Sequence, residues 1–171
     1  MDTKNLYKKY LSAGKVSTDT RKITPGAIFF ALRGEKWNAN EFAVNAINNG
    51  ASYAVIDEAK YAKNDQYIVV DDVLLALQQL ARYHRNQLTI PVIGLTGSNG
   101  KTTTKELLNA VLSKKFNTFA TQGNLNNHIG VPLSILSIDN SVEVAVIEMG
   151  ANHVGEIAQL CSFANPTHGF I

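Results

Sequence analysis

The sequence is poor in residues that crosslink or bind soft metals, because Cys161 is the single cysteine among 171 residues. A disulfide within the chain is therefore excluded, and so is a zinc centre built from several cysteines. We expect this thiol to behave as a small buried hydrophobic side chain. No two of the four histidines have helical metal-binding spacing, so a histidine metal site is disfavoured, and we expect His84 on a polar helix face.

The chain also lacks strong charge and long apolar runs. Its formal net charge is +2, without a basic cluster interleaved with aromatic residues, which argues against nucleic-acid binding. No stretch approaches the roughly 18 apolar residues of a membrane span, and the first residues lack the apolar core of a signal peptide. These absences predict a cytoplasmic protein that binds neither membrane nor nucleic acid.

The pattern of predicted strands and helices changes near residues 87–91, which divides the chain into two segments. The first contains short strand candidates at residues 16, 28–31, 54–56 and 67–70. It also contains two helical patterns, for which Asn40 and Asp72 are the predicted N-caps. We expect residues 1–88 to form a small mixed α/β domain.

After Pro91, strands and helices alternate, which predicts a parallel α/β sheet. The apolar run 91–95 is typical of a buried parallel strand. The helix that follows is expected to bury one apolar face, formed by Leu107, Leu108, Val111 and Leu112. Because the sequence ends at Ile171 inside an apparent strand, we expect residues 89–171 to be the first part of a larger domain.

A glycine-rich turn joins the strand at 91–95 to that helix, as in a P-loop. The candidate phosphate-binding residues of this turn are Gly97, Ser98, Asn99, Gly100, Lys101, Thr102 and Thr103. Lys101 is expected to reach the β- and γ-phosphates of ATP, and the Thr102 hydroxyl to bind Mg²⁺. The strict pattern expects glycine where Leu95 stands, so a glycine-rich turn with a chance lysine is the alternative.

A second candidate magnesium ligand is Glu148, which follows the apolar strand predicted at 142–147. Its carboxylate is expected at the carboxyl edge of the sheet, where ligands of open α/β sheets bind. Carboxylate oxygens suit a hard cation. The alternative is an ordinary acidic residue at a strand end.

Three ordered motifs, at residues 96–106, 124–132 and 148–157, resemble those of the Mur ligase family, and specifically its MurF branch. The sister MurE branch usually carries Thr-Thr-Pro where this chain has its asparagine-rich second motif. The resemblance implies a UDP-MurNAc-peptide-binding domain in 1–88 and the opening part of a P-loop ATPase domain in 89–171. The family's third, C-terminal ligase domain is expected beyond Ile171.

The resemblance also implies substrate-binding residues. Ser17, Thr18, Asp19, Thr20 and Arg21 are similar to the family's uridine-nucleotide segment, although a capped turn is the alternative. Further candidates are Arg33 and Gly34 in the next similar stretch, and Asn40, which stands where many relatives have histidine. Asn126 and Asn127 are candidates for orienting phosphate or carboxylate oxygens, with plain turn chemistry as the alternative.

The family's activity implies an ATP- and Mg²⁺-dependent ligase of peptidoglycan precursor synthesis. It joins D-alanyl-D-alanine to UDP-MurNAc-tripeptide through an acyl phosphate, with Lys101, Thr102 and Glu148 as catalytic residues.

We expect the intact enzyme to be a monomer. This shorter chain is expected to be inactive alone, to bind UDP-sugar, and to self-associate through a cut sheet edge. The alternatives are a MurE-type or other ligase of the superfamily, and a non-catalytic nucleotide-binding P-loop module.

Overall fold

The computed structural model describes residues 2–171 and divides into two compact units, one ending at Leu80 and the other covering Ala81–Ile171. Each unit contains a four-stranded parallel sheet with helices, which confirms the predicted α/β class. Within residues 2–171, no helix is both long and apolar enough to cross a bilayer.

The first unit is built from short strands and helices in alternation. In chain order they are α1 (Thr3–Ala13), β1 (Val16–Ser17), β2 (Ile28–Phe30), β3 (Arg33–Gly34), β4 (Trp37–Asn38), α2 (Ala43–Asn48), β5 (Tyr53–Ile56), β6 (Tyr67–Val69) and α3 (Val73–Arg85), which runs across the division. The sheet order is β1-β2-β5-β6, and β3 and β4 form a separate antiparallel hairpin. Strand β2, one of the two central strands, is fully buried, as its unbroken apolar sequence predicts.

Of the two helix N-caps predicted in this unit, one is confirmed and the other is wrong. Asp72 caps α3 as expected, because its Oδ1 accepts a hydrogen bond from the backbone N–H of Leu75 at 2.8 Å. The prediction for Asn40 is wrong. The cap is Asn38, whose Oδ1 accepts from the Asn40 N–H at 3.0 Å at the start of a 3-10 turn, and α2 continues directly from that turn.

The second unit follows the predicted alternation closely. Its elements are β7 (Val92–Leu95), α4 (Lys101–Leu112), β8 (Thr118–Ala120), α5 (Gly130–Ile135), β9 (Val144–Glu148), α6 (Glu156–Ala164) and β10 (His168–Phe170). The sheet order is β10-β7-β9-β8, so β7 and β9 are central. All five residues of β9 are buried.

The predicted apolar face of α4 is wrong in half of its members. Leu107 and Val111 are 62% and 69% exposed, whereas Leu108 and Leu112 are half-buried. The helix packs on β8 and β9 through the face that carries Lys105, Leu108 and Leu112, which are spaced i, i+3 and i+7. Lys105 therefore lies on the buried face of α4, which the spacing of apolar residues alone does not predict.

Two further side chains differ from expectation. His84 does not lie on a polar face: it is buried, and its Nε2 lies 2.8 Å from the carbonyl oxygen of Ile138. This burial lowers the pKa of His84 below 6.5. Cys161 is half-buried rather than buried, with its Sγ 3.9 Å from Sδ of Met149.

Candidate functional site

The glycine-rich turn lies between the end of β7 and the first residue of α4. Gly97 and Gly100 have φ values of 141° and 77°, in the region that glycine adopts most readily. Gly100 thereby turns the chain into α4, and its carbonyl accepts the first helical bond from the N–H of Thr104 at 2.8 Å. Ser98 and Asn99 are exposed in the turn, and Thr102 and Thr103 are exposed on the first helical turn. The first backbone N–H groups of α4 thus lie beside the turn, an arrangement suited to an anion.

Lys101 folds over this turn. Its Nζ donates a hydrogen bond to the carbonyl oxygen of Gly97 at 2.6 Å. An ammonium group has three donors, so one bond to the loop leaves capacity for a bound anion. The lysine is therefore held at the mouth of the turn rather than extended into solvent.

Glu148 ends β9 beside the strand that leads into the turn. The register pairs Glu148 with Leu95, and the N–H of Met149 donates to the Leu95 carbonyl at 2.8 Å. The Glu148 side chain is only 2% exposed. Its Oε1 accepts from Nδ2 of Asn126 at 2.9 Å, whereas Oε2 is buried without a hydrogen-bond partner among the described residues. A buried anionic oxygen without a partner is costly, so it is well suited to accept a cation.

The side chains of the two asparagines of the second motif, Asn126 and Asn127, have different hydrogen-bond partners. Asn126 binds Glu148, and its side-chain Cγ would lie 3.1 Å from a Cβ built at Gly150, so the close approach depends on glycine there. Asn127 instead uses its Oδ1 to accept from the N–H groups of Ile129 and Gly130, where α5 begins. The side-chain oxygen of Asn127 is thus engaged in the turn.

Within residues 2–171, no group of three or more His, Cys, Asp or Glu side chains could hold a metal ion alone. Magnesium sites at nucleotides need fewer protein ligands, because one or two carboxylates are completed by phosphates and water. The Glu148 Oε2 atom and the exposed Thr102 hydroxyl fit that donor set.

The third motif shapes the start of α6 and a small cavity. Oε2 of Glu156 accepts from the N–H groups of Asn152 and His153 at 2.7 and 3.1 Å, and its Oε1 lies 3.1 Å from Nδ1 of His153. These hydrogen bonds lower the pKa of Glu156. A cavity of about 140 Å³ opens here, lined by polar residues that include Asn127, Asn152 and Glu156.

In the first unit, residues 17–21 lead from the end of β1 into a 3-10 turn, and Nδ2 of Asn49 donates to the Thr20 carbonyl at 3.0 Å. Asp19 accepts two hydrogen bonds from the Arg21 guanidinium, at 2.9 and 2.8 Å, and one from the Arg21 N–H. These contacts lower the pKa of Asp19 to about 2. The Ser17 hydroxyl bonds the backbone of Asp19, while Thr18 and Thr20 are half-buried.

Arg33 and Asn40 meet at Asp57. The guanidinium of Arg33 donates to Oδ1 of Asp57 at 2.9 and 2.7 Å. Asn40 is fully buried, donating to Asp57 Oδ1 at 2.7 Å and accepting from the Asp57 N–H at 3.0 Å. Gly34 lies under the indole of Trp37, where a Cβ atom would overlap the ring. Asn40 is therefore placed to orient Asp57 and Arg33 from within.

Sequence reasoning missed Asp57 and two buried residues near Glu148. Thr121 accepts a hydrogen bond from the Glu148 N–H through its Oγ1, and Lys105 donates to the Thr121 carbonyl. Asp57 and Thr121 each follow a parallel strand directly, so the rule that selected Glu148 applies to them equally. Lys105 carried a weaker signal, since it shares a helical stripe with Leu108 and Leu112.

Comparison with known families matches both parts of the chain. The family model described as "Mur ligase family, catalytic domain" matches residues 14–85, and that of the "Mur ligase middle domain" matches residues 95–171. The UDP-N-acetylmuramoyl-tripeptide--D-alanyl-D-alanine ligases of Bacillus subtilis and Escherichia coli are 44% and 46% identical to it, each over 88% of this chain. The chain spans about a third of the length of these relatives, 34% and 33% respectively.

Solved structures agree with these matches. A MurF structure from Acinetobacter baumannii has a TM-score of 0.82 and 40% identity, over 91% of this chain and 34% of its own. The MurF ligase from Thermotoga maritima in complex with ADP has a TM-score of 0.80 and 35% identity, over 91% of this chain and 36% of its own. The chain therefore belongs to the Mur ligase family, in the MurF branch that these relatives represent.

Proposed function

We propose that this chain is part of an ATP-dependent ligase that joins D-alanyl-D-alanine to UDP-MurNAc-tripeptide in cytoplasmic peptidoglycan precursor synthesis. Residues 89–171 bind the nucleotide in this proposal, and residues 1–88 bind the UDP end of the sugar-peptide. The names of the relatives support the substrates. The observation that carries the proposal is the buried Oε2 of Glu148, which has no hydrogen-bond partner in the described part of the chain. Glu148 lies on the strand that pairs with the one leading into the phosphate turn.

The proposed chemistry needs charge neutralisation more than covalent catalysis. A carboxylate is a poor electrophile, so ATP converts it to an acyl phosphate that the incoming amine then attacks, with phosphate as the leaving group. Lys101 and the N–H groups of the turn 97–103 hold the phosphates in line. Thr102 and Glu148 would hold Mg²⁺, which offsets phosphate charge when bound.

The substrate-binding roles follow from the clusters of the first unit. Arg33 is a charged donor held by Asp57, and Asn40 fixes that pair from the buried side. The turn 17–21 offers the Thr18 and Thr20 hydroxyls to a nucleoside. Carboxylates offset the charge of both arginines: Asp19 pairs with Arg21, and Asp57 with Glu58 pairs with Arg33. We propose that Ser17, Thr18 and Thr20 contact the uridine and that Arg33 and Gly34 lie nearer the diphosphate.

Calorimetric titration of the 171-residue chain tests the nucleotide site. We expect ATP to bind in the presence of Mg²⁺, and Lys101→Met to weaken binding by about 100-fold, as loss of a charge-assisted contact to phosphate does. Lys114→Met, which removes an exposed lysine beyond α4, is the matched control. Unchanged affinity of the Lys101 variant would contradict the assignment.

A second titration, with UDP-MurNAc-tripeptide, tests residues 1–88. We expect binding that Arg33→Ala weakens and Lys101→Met leaves unchanged. Because the chain spans about a third of its relatives, we also expect the 171-residue polypeptide alone to release no phosphate with all three substrates present. Binding of ATP without UDP-sugar would instead favour the simpler role of a nucleotide-binding P-loop module.

We also propose that this polypeptide self-associates through β10. The strand pairs with β7 on one side, all three of its residues are exposed, and Phe170 is 49% exposed. Such an edge offers unpaired backbone groups to a second chain. Light scattering should show concentration-dependent association that Phe170→Lys reduces, and a strict monomer at high concentration would argue against it.

A further inference from the structure

Lys105 is a buried cation of the second unit for which the proposed chemistry has no use. It lies one turn after Lys101 on α4 and is 1% exposed. Its Nζ donates to the carbonyl oxygen of Thr121 at 2.7 Å and lies 2.9 Å from Oε1 of Glu106, a residue whose side chain is 62% exposed. Burying an ammonium is costly, and an apolar side chain of similar length would fill the space without that cost. Stability alone therefore does not account for a lysine here.

Thr121, the residue that Lys105 holds, contacts Glu148 directly. It follows β8 and is 1% exposed, and its own N–H donates to the Val146 carbonyl at 3.0 Å. Its Oγ1 accepts a hydrogen bond from the Glu148 N–H at 2.9 Å. The backbone that carries the Glu148 carboxylate is thus held through the Thr121 side chain.

These contacts form a relay from the phosphate turn to the carboxylate. The helix that begins with Lys101 carries Lys105, Lys105 holds Thr121, and Thr121 holds Glu148. Asn126 holds the carboxylate from the other side. The relay ties the helix of the phosphate turn to the strand end that bears the unpartnered oxygen.

We propose that Lys105 and Thr121 are positioning residues that set Glu148 at the distance from the phosphate turn that a shared divalent cation requires. The cation's role rests on the proposed function, whereas the relay itself does not. Residues that orient a metal ligand typically contribute about 10- to 100-fold to metal affinity. Loss of the relay should therefore reduce the cation's contribution to nucleotide binding and leave the contacts of Lys101 intact.

The first experiment compares ATP affinity in Mg²⁺ and in EDTA for wild type, Lys105→Met, Thr121→Val and Thr121→Ser. Lys105→Met and Thr121→Val should lower the Mg²⁺ enhancement of affinity by about tenfold or more and change affinity in EDTA by less than about twofold. Thr121→Ser keeps the hydroxyl and should restore the enhancement, and Lys114→Met is the exposed-lysine control. Equal weakening in Mg²⁺ and in EDTA would overturn the proposal, because that pattern indicates general damage.

The second experiment needs no nucleotide. Hydrogen exchange of the Glu148 amide reports its bond to Thr121, and exchange should accelerate by about tenfold or more in Lys105→Met and Thr121→Val but not in Thr121→Ser. The amide of Ile147 in the same strand is the internal reference. Unchanged exchange at Glu148 overturns the relay, whereas a wild type that binds no ATP overturns only the proposed function. If Lys105→Met fails to fold, the two Thr121 variants decide.

Discussion

Asn126 and Glu148 form an asymmetric pair in which the amide donates to one carboxylate oxygen at 2.9 Å, while the other is buried with no hydrogen-bond partner in residues 2–171. The approach is possible because Gly150 presents no Cβ to the amide and donates its N–H to the Asn126 carbonyl at 2.8 Å. The asparagine therefore fixes the direction of the carboxylate, and the free oxygen is the one that a cation can use.

Removing this amide should weaken both cation binding and the fold. In Asn126→Ala, the Glu148 carboxylate loses its oriented hydrogen bond, and we expect the Mg²⁺-dependent part of ATP affinity to fall by about tenfold. Because a buried carboxylate is left less satisfied, we also expect a loss of about 1–3 kcal/mol in the free energy of unfolding. Calorimetry and urea unfolding measure the two effects.

The matched control for that variant is Asn124→Ala, which removes an exposed amide from the same loop. It should leave the Mg²⁺ dependence of ATP binding unchanged. Equal behaviour of the two variants would show that the bond between Asn126 and Glu148 does not matter for the cation.

The sequence predicted the parallel sheet of the second unit because its buried strands are apolar runs that alternate with helices. It also predicted that Glu148 lies at the carboxyl end of one of those strands. It could not predict the rotation of α4, since Leu107 and Val111 are as apolar as Leu108 and Leu112, and only packing on β8 and β9 decides which pair turns inward. It also could not separate Asn126 from Asn127. Two adjacent asparagines are equivalent in the sequence, and only the folded structure shows that Asn126 contacts Glu148 whereas Asn127 accepts from the N–H groups at the start of α5.

A second prediction concerns Asn40, which the structure buries rather than exposes to a substrate. Asn40→Ala should lower the free energy of unfolding by about 1–3 kcal/mol, because the N–H and the carboxylate of Asp57 each lose a partner. Asn40→Asp should cost at least as much near neutral pH and recover in acid, since protonation relieves the repulsion of adjacent carboxylates. Urea unfolding at neutral and acidic pH measures both.

Asn45→Ala, at an exposed position of α2, is the control and should stay within about 0.5 kcal/mol of wild type. An Asn40→Ala variant of normal stability that no longer binds UDP-sugar would instead identify Asn40 as a direct contact.

The third prediction is a pH dependence of stability from His84. Burial lowers its pKa in the folded state below the unfolded value of 6.5. Between those two pKa values the unfolded chain binds more protons than the folded one. The contribution of His84 to stability is therefore complete above about pH 6.5 and decreases as the pH falls toward the folded pKa.

His84→Gln removes this titration while keeping a side-chain donor for the Ile138 carbonyl. Thermal unfolding of both proteins from about pH 7.5 to 5 should show a wild-type loss that is steeper by at most about 1.4 kcal/mol per pH unit. Parallel curves for wild type and variant would contradict the prediction.

The fourth prediction links packing at Gly130 to the candidate cation site. A Cβ at Gly130 would overlap the backbone of Leu125, which cannot move aside as a flexible side chain could. We expect Gly130→Ala to cost about 1–3 kcal/mol of unfolding free energy through overpacking. Because Leu125 precedes Asn126, its displacement should also misplace the amide that orients Glu148 and lower the Mg²⁺ dependence of ATP binding.

Gly169→Ala provides the comparison, since a Cβ there meets nothing within 4 Å, and it should change neither quantity measurably. A Gly130→Ala variant that loses stability but keeps full Mg²⁺ dependence would show that the start of α5 and the carboxylate are independent.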